Sequence, residues 1–345
     1  RARLAAMSGH AGAADGRRLA VSVALEPMEA DPIAQTPLEP DANSRPPNIV
    51  IRGYGQYYDV RTPEGIVRCT VRGVLKRARR KTDPVAVGDR VEITLTGPGE
   101  GVIEAVAPRL RTLSRRARGT EDVEQVILAN PDQLVAVFAV AEPEPHPRML
   151  DRFLIIAEAR GLGAAVCVNK IDLDPTGELR RIFDPYRAAG YPVIETSATT
   201  GVGIDELRAI LRGKVSALSG PSGVGKSSLI NALHPELDLR VGEISAVTGK
   251  GRHTTTATTL ILLDDETYIA DTPGIRQLGF WGIDFEHLDR YFPEFRPYLD
   301  QCYYADCTHL TEPGCAVLAA VEAGSIDLDR YESYRALRAG TGDDR

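Results

Sequence analysis

Apolar residues recur along this 345-residue chain in two rhythms, and the change between them falls near residue 130. On the N-terminal side, short runs of β type cover 48–52, 56–61, 66–71, 90–95 and 101–107. Turn formers separate them at Gly53, at 63–65, at Pro84, at Gly88 and Asp89, and at 97–99. Short strands so closely spaced predict a small barrel of the oligonucleotide-binding (OB) type. From Asp132 onward strands alternate with helices. The strands fall at 134–140, 164–168, 192–194, 214–218 and 267–270, and the helices at 148–160, 178–189, 204–211 and 226–233. That alternation predicts an α/β domain, a mostly parallel sheet with helices on both faces. Beyond about Phe285 the chain reads as a helical, proline-interrupted tail.

Residues 1–48 fit neither rhythm. They are rich in Ala, Gly and Pro, with six prolines between Pro27 and Pro47, and are expected to be a disordered extension. The expected organisation is therefore extension (1–48), barrel (49–118), α/β domain (119–284) and tail (285–345). The longest strongly apolar run, 134–141, is eight residues, against the ~20 that a membrane helix needs. The first residues lack the apolar core of a signal peptide, so the cytoplasm is the expected compartment. A monomer is the default.

Net charge adds a contrast that hydropathy does not show. The total is −7, yet 49–120 carries fifteen Lys and Arg against seven Asp and Glu. A basic module on an acidic body points to a polyanionic partner, RNA in the context of a barrel. The basic run 76–81 and a second cluster, Arg109 to Arg118, carry that expectation.

The most specific chemistry sits at 220–228. Gly220, Pro221, Ser222, Gly223, Val224, Gly225, Lys226, Ser227 and Ser228 follow an apolar strand, open a helix and fit the pattern G-x-x-x-x-G-K-[ST]. Glycines let consecutive backbone N–H groups curl around phosphate, aided by the positive end of the next helix. Lys226 is expected to reach the β- and γ-phosphates as a catalytic group, and the Ser227 hydroxyl to ligate Mg²⁺. Asn169, Lys170 and Asp172 form N-K-x-D at the end of a strand, where open parallel sheets place ligands. A carboxylate at Asp172 accepts from guanine N1–H and the 2-amino group, whereas adenine offers neither and leaves the acid unpaired. Ser197 and Ala198 follow the next strand, and the Ala198 region offers an N–H to guanine O6. Asp271 and Gly274 begin and end D-T-P-G: Asp271 is expected to hold Mg²⁺ through water, and the Gly274 N–H to touch the γ-phosphate. Between them and the P-loop, 251–256 forms a polar stretch in which Thr254 or Thr255 completes the Mg²⁺ shell. These residues together point to GTP.

A separate constellation lies in the tail. Cys302, Cys307, His309 and Cys315 offer three thiolates and one imidazole within fourteen residues. That is a closed tetrahedral set, suited to one structural Zn²⁺ per chain and without an open position for catalysis. Cys69 and Cys167 stand singly in strand-like runs and are expected to be buried as small hydrophobes.

The five motif elements are those of translation-factor-related GTPases, but in circularly permuted order, since the guanine-reading pair (169–172, 196–198) precedes the P-loop (220–227). Barrel, permuted domain and Cys/His tail together resemble the ribosome small-subunit-dependent GTPase A family of bacteria over about 49–331. Further marks are the stretches 125–132 and 251–256. The resemblance implies an OB barrel that binds rRNA and hydrolysis of GTP to GDP and phosphate. It also implies a role in late maturation of the small (30S) ribosomal subunit, which stimulates turnover. Ile275 stands where many GTPases place a water-orienting Gln, and the resemblance points to His253 for that role. Three other readings compete. A signalling GTPase leaves the basic barrel unexplained, an RNA chaperone with nucleotide as a structural ligand leaves Lys226, Ser227 and Asp271 unexplained, and Asp172 opposes a P-loop ATPase. Permutation puts the switch segments just before the tail, so 274–285 is the expected link between nucleotide state and tail.

Overall fold

The run QLVAVFA, strand β8 (Gln133–Ala139), is buried along its whole length because it serves two cores at once. Side chains alternate across a strand, so Leu134, Ala136 and Phe138 enter one core and Val135, Val137 and Ala139 the other. On the first face lies helix α1 (Pro147–Ala159), with Leu150, Phe153, Leu154 and Ala157 turned to the sheet. On the second lie α3 (Ile204–Leu211) and α4 (Lys226–Leu233), which contribute Ile204, Leu207, Leu211, Leu229, Ile230 and Leu233. Full burial of a side chain such as Leu134 or Phe138 favours folding by about 1.5–3 kcal/mol. These positions fix the sheet between its helices.

The computed structural model describes residues 47–73, 75, 82–116, 124–237, 258–264, 266–271, 280 and 282–340. All of them belong to one compact unit, Arg45–Arg345. The basic run 76–81 and the polar stretch 251–256 lie outside the described residues.

An eleven-stranded sheet runs in the order β10-β9-β8-β11-β13-β12-β1-β2-β3-β5-β4. Its first five strands are β10 (Val193–Glu195), β9 (Gly163–Asn169), β8, β11 (Val215–Ser219) and β13 (Thr267–Asp271), all parallel. β12 (Thr259–Asp264) then pairs antiparallel with β13 and meets β1 at Arg52 and Thr259. The barrel comprises β1 (Ile49–Tyr54), β2 (Tyr57–Thr62), β3 (Gly65–Val71), β5 (Glu100–Val106) and β4 (Val91–Gly97). A bridge between Ile49 and Arg90 brings β4 back to β1, which closes the order 1-2-3-5-4. Val50, Val60, Val67, Cys69, Val91 and Ile103 fill its interior. A separate antiparallel pair, β6 (Thr112–Arg116) with β7 (Glu124–Ala129), donates the Ala129 N–H to the Val87 carbonyl and sends Leu113 and Leu128 into the core shared with β8. Cys69 and Cys167 are both buried, as expected of small hydrophobes.

Two expectations need correction. The helix expected over 178–189 is a 3₁₀ turn (Leu179–Phe183) followed by the short α2 (Asp184–Ala188). Pro185 lacks an N–H, and its ring would collide with the carbonyl four residues back, so one α-helix cannot run through. Arg109, counted with the second basic cluster expected to serve RNA, is instead an internal strut. Its Nε and Nη2 donate to the two carboxylate oxygens of buried Asp89 at 2.7 and 2.8 Å.

The tail comprises a 3₁₀ turn at Leu288–Tyr291, a longer one at Pro293–Gln301, α5 (Ala316–Glu322) and α6 (Leu328–Arg338). It packs on α1 directly. Arg330 of α6, with a side chain only 2% exposed, pairs with Asp151 of α1 and, at 2.7 Å, with Glu294. Phe292 and Tyr186 place their rings against the same guanidinium, at 4.7 and 5.2 Å. Removing one partner of a buried pair strands the others, so Arg330→Ala is expected to destabilise the tail by about 3–5 kcal/mol. Hydrogen exchange of 288–338 measures this, and a loss below about 1 kcal/mol would show that the pair is not what docks the tail.

Candidate nucleotide site and metal centre

Parallel pairing brings four motif segments to one end of the sheet. In register, Asn169 lies beside Ala139, Glu195 beside Val168, Ser219 beside Ala136 and Asp271 beside Leu218. N-K-x-D, Thr196–Ser197–Ala198, the P-loop and the start of D-T-P-G therefore all leave the sheet at the carboxyl ends of its strands.

The P-loop approaches the sheet so closely that glycine is required. At Gly220 (φ 153°) a Cβ would sit 2.0 Å from the Val137 carbonyl oxygen. At Gly225 (φ 95°) it would sit 2.3 Å from Asn169 Nδ2. That second approach is also a bond: Asn169 Nδ2 donates to the Val224 carbonyl at 2.8 Å and ties the two loops together. Asn169 Oδ1 accepts from Thr196 Oγ1 and the Ala198 N–H, each at 3.2 Å. One buried amide thus joins three motif segments.

Asp172 sits in a 3₁₀ turn (Ile171–Leu173) just after Lys170, whose φ of 63° swings the chain sharply. Ser197 Oγ donates to Asp172 Oδ1 at 2.6 Å, which fixes the carboxylate's rotation. Lys170 Nζ donates to the Glu142 carbonyl, and Pro143 lies 3.7 Å from a Cβ position at Gly223. The loop after β8 is thus a wall between the two motifs, and no spacing rule in the sequence indicated it. Lys226 Nζ donates to the carbonyls of Gly220 and Pro221 at 2.8 and 2.7 Å, within the loop it follows. Ser227 and Ser228 occupy the first turn of α4. Ser222, Gly223 and Val224 form the crest of the loop, Val224 buried and the other two exposed. Asp271 ends β13, whereas His253, Thr254, Thr255 and Gly274 lie outside the described residues.

Behind Asp172, Asp174 is buried and receives Arg180. Desolvation alone would raise Asp174, but the hydrogen bonds from Arg180 outweigh it and hold the carboxyl below the usual range. Glu195 is lowered too, its desolvation outweighed by Arg180 and Arg187.

In the tail, the ligand atoms of Cys302, Cys307, His309 and Cys315 lie within 4.8 Å of one another. Cys302 Sγ and Cys315 Sγ stand 3.6 and 3.4 Å from His309 Nδ1 and 4.0 Å from each other. A tetrahedral zinc with ordinary bond lengths has edges of roughly 3.5–3.8 Å, so the donor set fits. The other ring nitrogen, Nε2, faces Asp289 Oδ2 at 3.6 Å, as imidazole ligands commonly face a carboxylate. Cys315 caps α5 and accepts from the Leu318 N–H at 3.4 Å. Glu312 shapes the connecting turn by accepting from Thr308, Leu310 and Thr311 amides at 2.9–3.0 Å. Desolvation raises Glu312, but the hydrogen bonds from Thr308 and from the Thr311 and Glu312 amides together outweigh it and bring its carboxyl to about 2. A cavity of about 410 Å³ beside the cluster is bordered by Arg290, Arg296, Asp289 and Asp300. Its lining mixes both signs of charge and stands apart from the P-loop.

Comparison with known proteins decides the family. A family model described as the RsgA GTPase matches 106–281, and one described as the RsgA N-terminal domain matches 49–103. The chain belongs to the RsgA GTPase family. As a member it is a GTP hydrolase with circularly permuted motifs, built from an OB-type barrel, a GTPase domain and a Cys/His tail. A Small ribosomal subunit biogenesis GTPase RsgA from Gemmatimonas aurantiaca is 48% identical over 293 residues, 84% of this chain and 95% of that one. The protein of that description from Chlorobaculum tepidum is 45% identical over 299 residues, 84% and 96% of the two chains. Among solved structures, YjeQ from Thermotoga maritima superposes with a TM-score of 0.69 at 37% identity, covering 86% of this chain and 99% of its own. YloQ, described as a circularly permuted GTPase, gives 0.66 at 29% identity, covering 89% and 98%.

Proposed function

We propose that this GTPase acts in late maturation of the small ribosomal subunit and that docking on that particle stimulates hydrolysis. The observation that carries the nucleotide half is the Asn169 bridge, which makes the base-reading segments and the P-loop one rigid site. The observation behind the partner is the description shared by the relatives, whose length the chain matches nearly in full. In this reading Asp172 accepts from guanine, held in place by Ser197, while the Ala198 N–H, donated to Asn169 Oδ1 in this structure, would turn to O6 and Lys170 lays its stem along the base. Amides of 220–225 and the Lys226 ammonium neutralise the phosphates. Ser227, one of Thr254 or Thr255, and Asp271 through water would hold Mg²⁺, which when bound draws charge from the phosphate oxygens. The Gly274 N–H would meet the γ-phosphate, and His253 would orient the attacking water. Cys302, Cys307, His309 and Cys315 would hold one structural Zn²⁺.

The rRNA contact belongs to the barrel. On its outer face Arg52 and Arg68 lie 5.5 and 5.9 Å from the Tyr54 ring, and Tyr57 is 6.2 Å from that ring. Exposed Tyr57 beside half-buried Tyr54 and its arginines suits stacked bases and phosphates. The protein would work as a cytoplasmic monomer.

GTP turnover, alone and with purified small subunits at two salt concentrations, tests the proposal. Stimulation that fades with salt is expected, as is its loss in His253→Ala with nucleotide binding intact. Turnover indifferent to the subunit would remove the ribosomal role, and full stimulation of His253→Ala would remove that residue from the mechanism.

A further inference from the structure

The two loops that read the base have unequal support. N-K-x-D follows β9, an internal seven-residue strand, whereas Thr196–Ser197–Ala198 follows β10, a three-residue strand at the sheet edge. A short edge strand has ladder bonds on one side only, so the segment it carries is the weaker half of the pocket. Arg180 spans the two. Its Nε and backbone N–H both reach Asp174 Oδ2 at 3.1 Å, and Nη2 donates to the Asp174 carbonyl at 2.7 Å. Nη1 donates to Glu195 Oε2 at 2.6 Å. Asp174 ends the turn that presents Asp172, and Glu195 is the last residue of β10, two before Ser197. Asp174 is only 1% exposed, so this is no loose surface pair. Arg187, which also pairs with Glu195, holds the carboxylate from its other oxygen.

We infer that Arg180 is a positioning residue for guanine discrimination, clamping the Asp172 turn to the Ser197 strand end so that the carboxylate keeps its two-bond aim at the base. Arg180 touches no nucleotide and acts through Asp172. The inference rests on the reading of Asp172 as the guanine acceptor. Lysine keeps the charge but lacks the planar fork that serves a carboxylate, a carbonyl and a second carboxylate together.

Inosine diphosphate, which has N1–H but no 2-amino group, isolates the effect. Dissociation constants for GDP and inosine diphosphate are measured on the full chain, and their ratio cancels any change in the folded fraction. The unmodified protein is expected to prefer GDP by about 10- to 100-fold, the worth of one charge-assisted hydrogen bond. Arg180→Gln and Arg180→Lys are each expected to weaken GDP about tenfold while moving inosine diphosphate by less than about threefold. In an Asp172→Ala background, where the ratio falls towards one, Arg180→Gln should change it no further. Equal weakening of both nucleotides, or an unchanged ratio, in Arg180→Gln would overturn the positioning role while leaving Asp172 in place. A wild-type ratio in Asp172→Ala would overturn the guanine reading itself, and this inference with it.

Discussion

Asp172→Asn is expected to weaken GDP and GTP by roughly 10²–10⁴-fold and to make xanthosine nucleotides the better ligands. A carboxylate only accepts, and guanine presents two donors on the edge facing it. An amide there meets the 2-amino group with its own NH₂, so donor opposes donor and both lose their partners. Xanthine carries an oxygen in place of that amino group. Ser197 donates to Asp172 Oδ1 at 2.6 Å, and in the variant it would hold the amide oxygen at that position, leaving the NH₂ at the other. The bond that orients the carboxylate in the native protein would thereby orient the new side chain for xanthine. Competition titrations with GDP, xanthosine diphosphate and ADP decide the matter. A variant that still prefers GDP would mean the base is read elsewhere, and equal weakening of all three would mean the substitution merely unfolds the loop.

Much of this arrangement was legible in the sequence because it is local. The P-loop needs its glycines at fixed spacing, and Asn169 of N-K-x-D bonds that loop at the Val224 carbonyl. The uninterrupted apolar run of β8 announced a strand buried on both faces, and α3 and α4 have the expected bounds. Where local pattern and topology part, the sequence was weaker. Within 178–189 the apolar spacing suits one helix, but Pro185 divides it. β12 offers only the short run Leu260 to Leu263 after a polar stretch, and it becomes a strand by pairing with β13. β6 reads as a basic patch, since Leu113 is its only large apolar residue, until β7 pairs with it.

The same limit governs the site. A charge count treats Arg109 as part of a basic face, because its partner Asp89 lies twenty residues away and only folding brings them together. Asp289 and Arg180 carry no motif. Each matters through what it touches: Asp289 stands behind the His309 ring, and Arg180 spans two strand ends. The expected link between nucleotide site and tail through 274–285 falls largely outside the described residues, whereas Arg330, Asp151 and Glu294 join the tail to α1 directly. The wall of Glu142 and Pro143 leads from α1 back to Lys170 and the P-loop.

Removing the metal is expected to unmake the ligand loops of the tail while leaving GDP affinity within about threefold, because binding energy at a structural zinc is folding energy. The loops from Cys302 to Cys315 contain little regular structure, so the proposed metal would be the main bond between their four clustered ligands. The aromatic cluster of Phe292, Phe295, Tyr331 and Tyr334 packs on Cys315 and bonds the His309 and Thr308 carbonyls through its tyrosines, so it should loosen with the ligand loops, whereas α6 should persist against α1 through Arg330. Acid should act in the same direction as a chelator. Desolvation pushes the Cys307 thiol up to about 12 without metal and raises Cys315 as well, so a thiolate released at either position takes up a proton and metal is lost more readily as pH falls. Glu312 behaves otherwise. Its carboxyl, lowered from 4.5 to about 2, contributes stability that is present above 4.5 and lost only as pH falls through about 2. Between about pH 4.5 and 6, then, loss of order in 302–315 reports the metal and not the Glu312 turn. Zinc content and hydrogen exchange, followed together through chelation at pH 7 and through mild acid, test this. Protection of 302–315 that survives complete loss of zinc would mean the thiols pack as a core and the ion is incidental. GDP affinity falling in step with zinc would mean the tail is part of the nucleotide site.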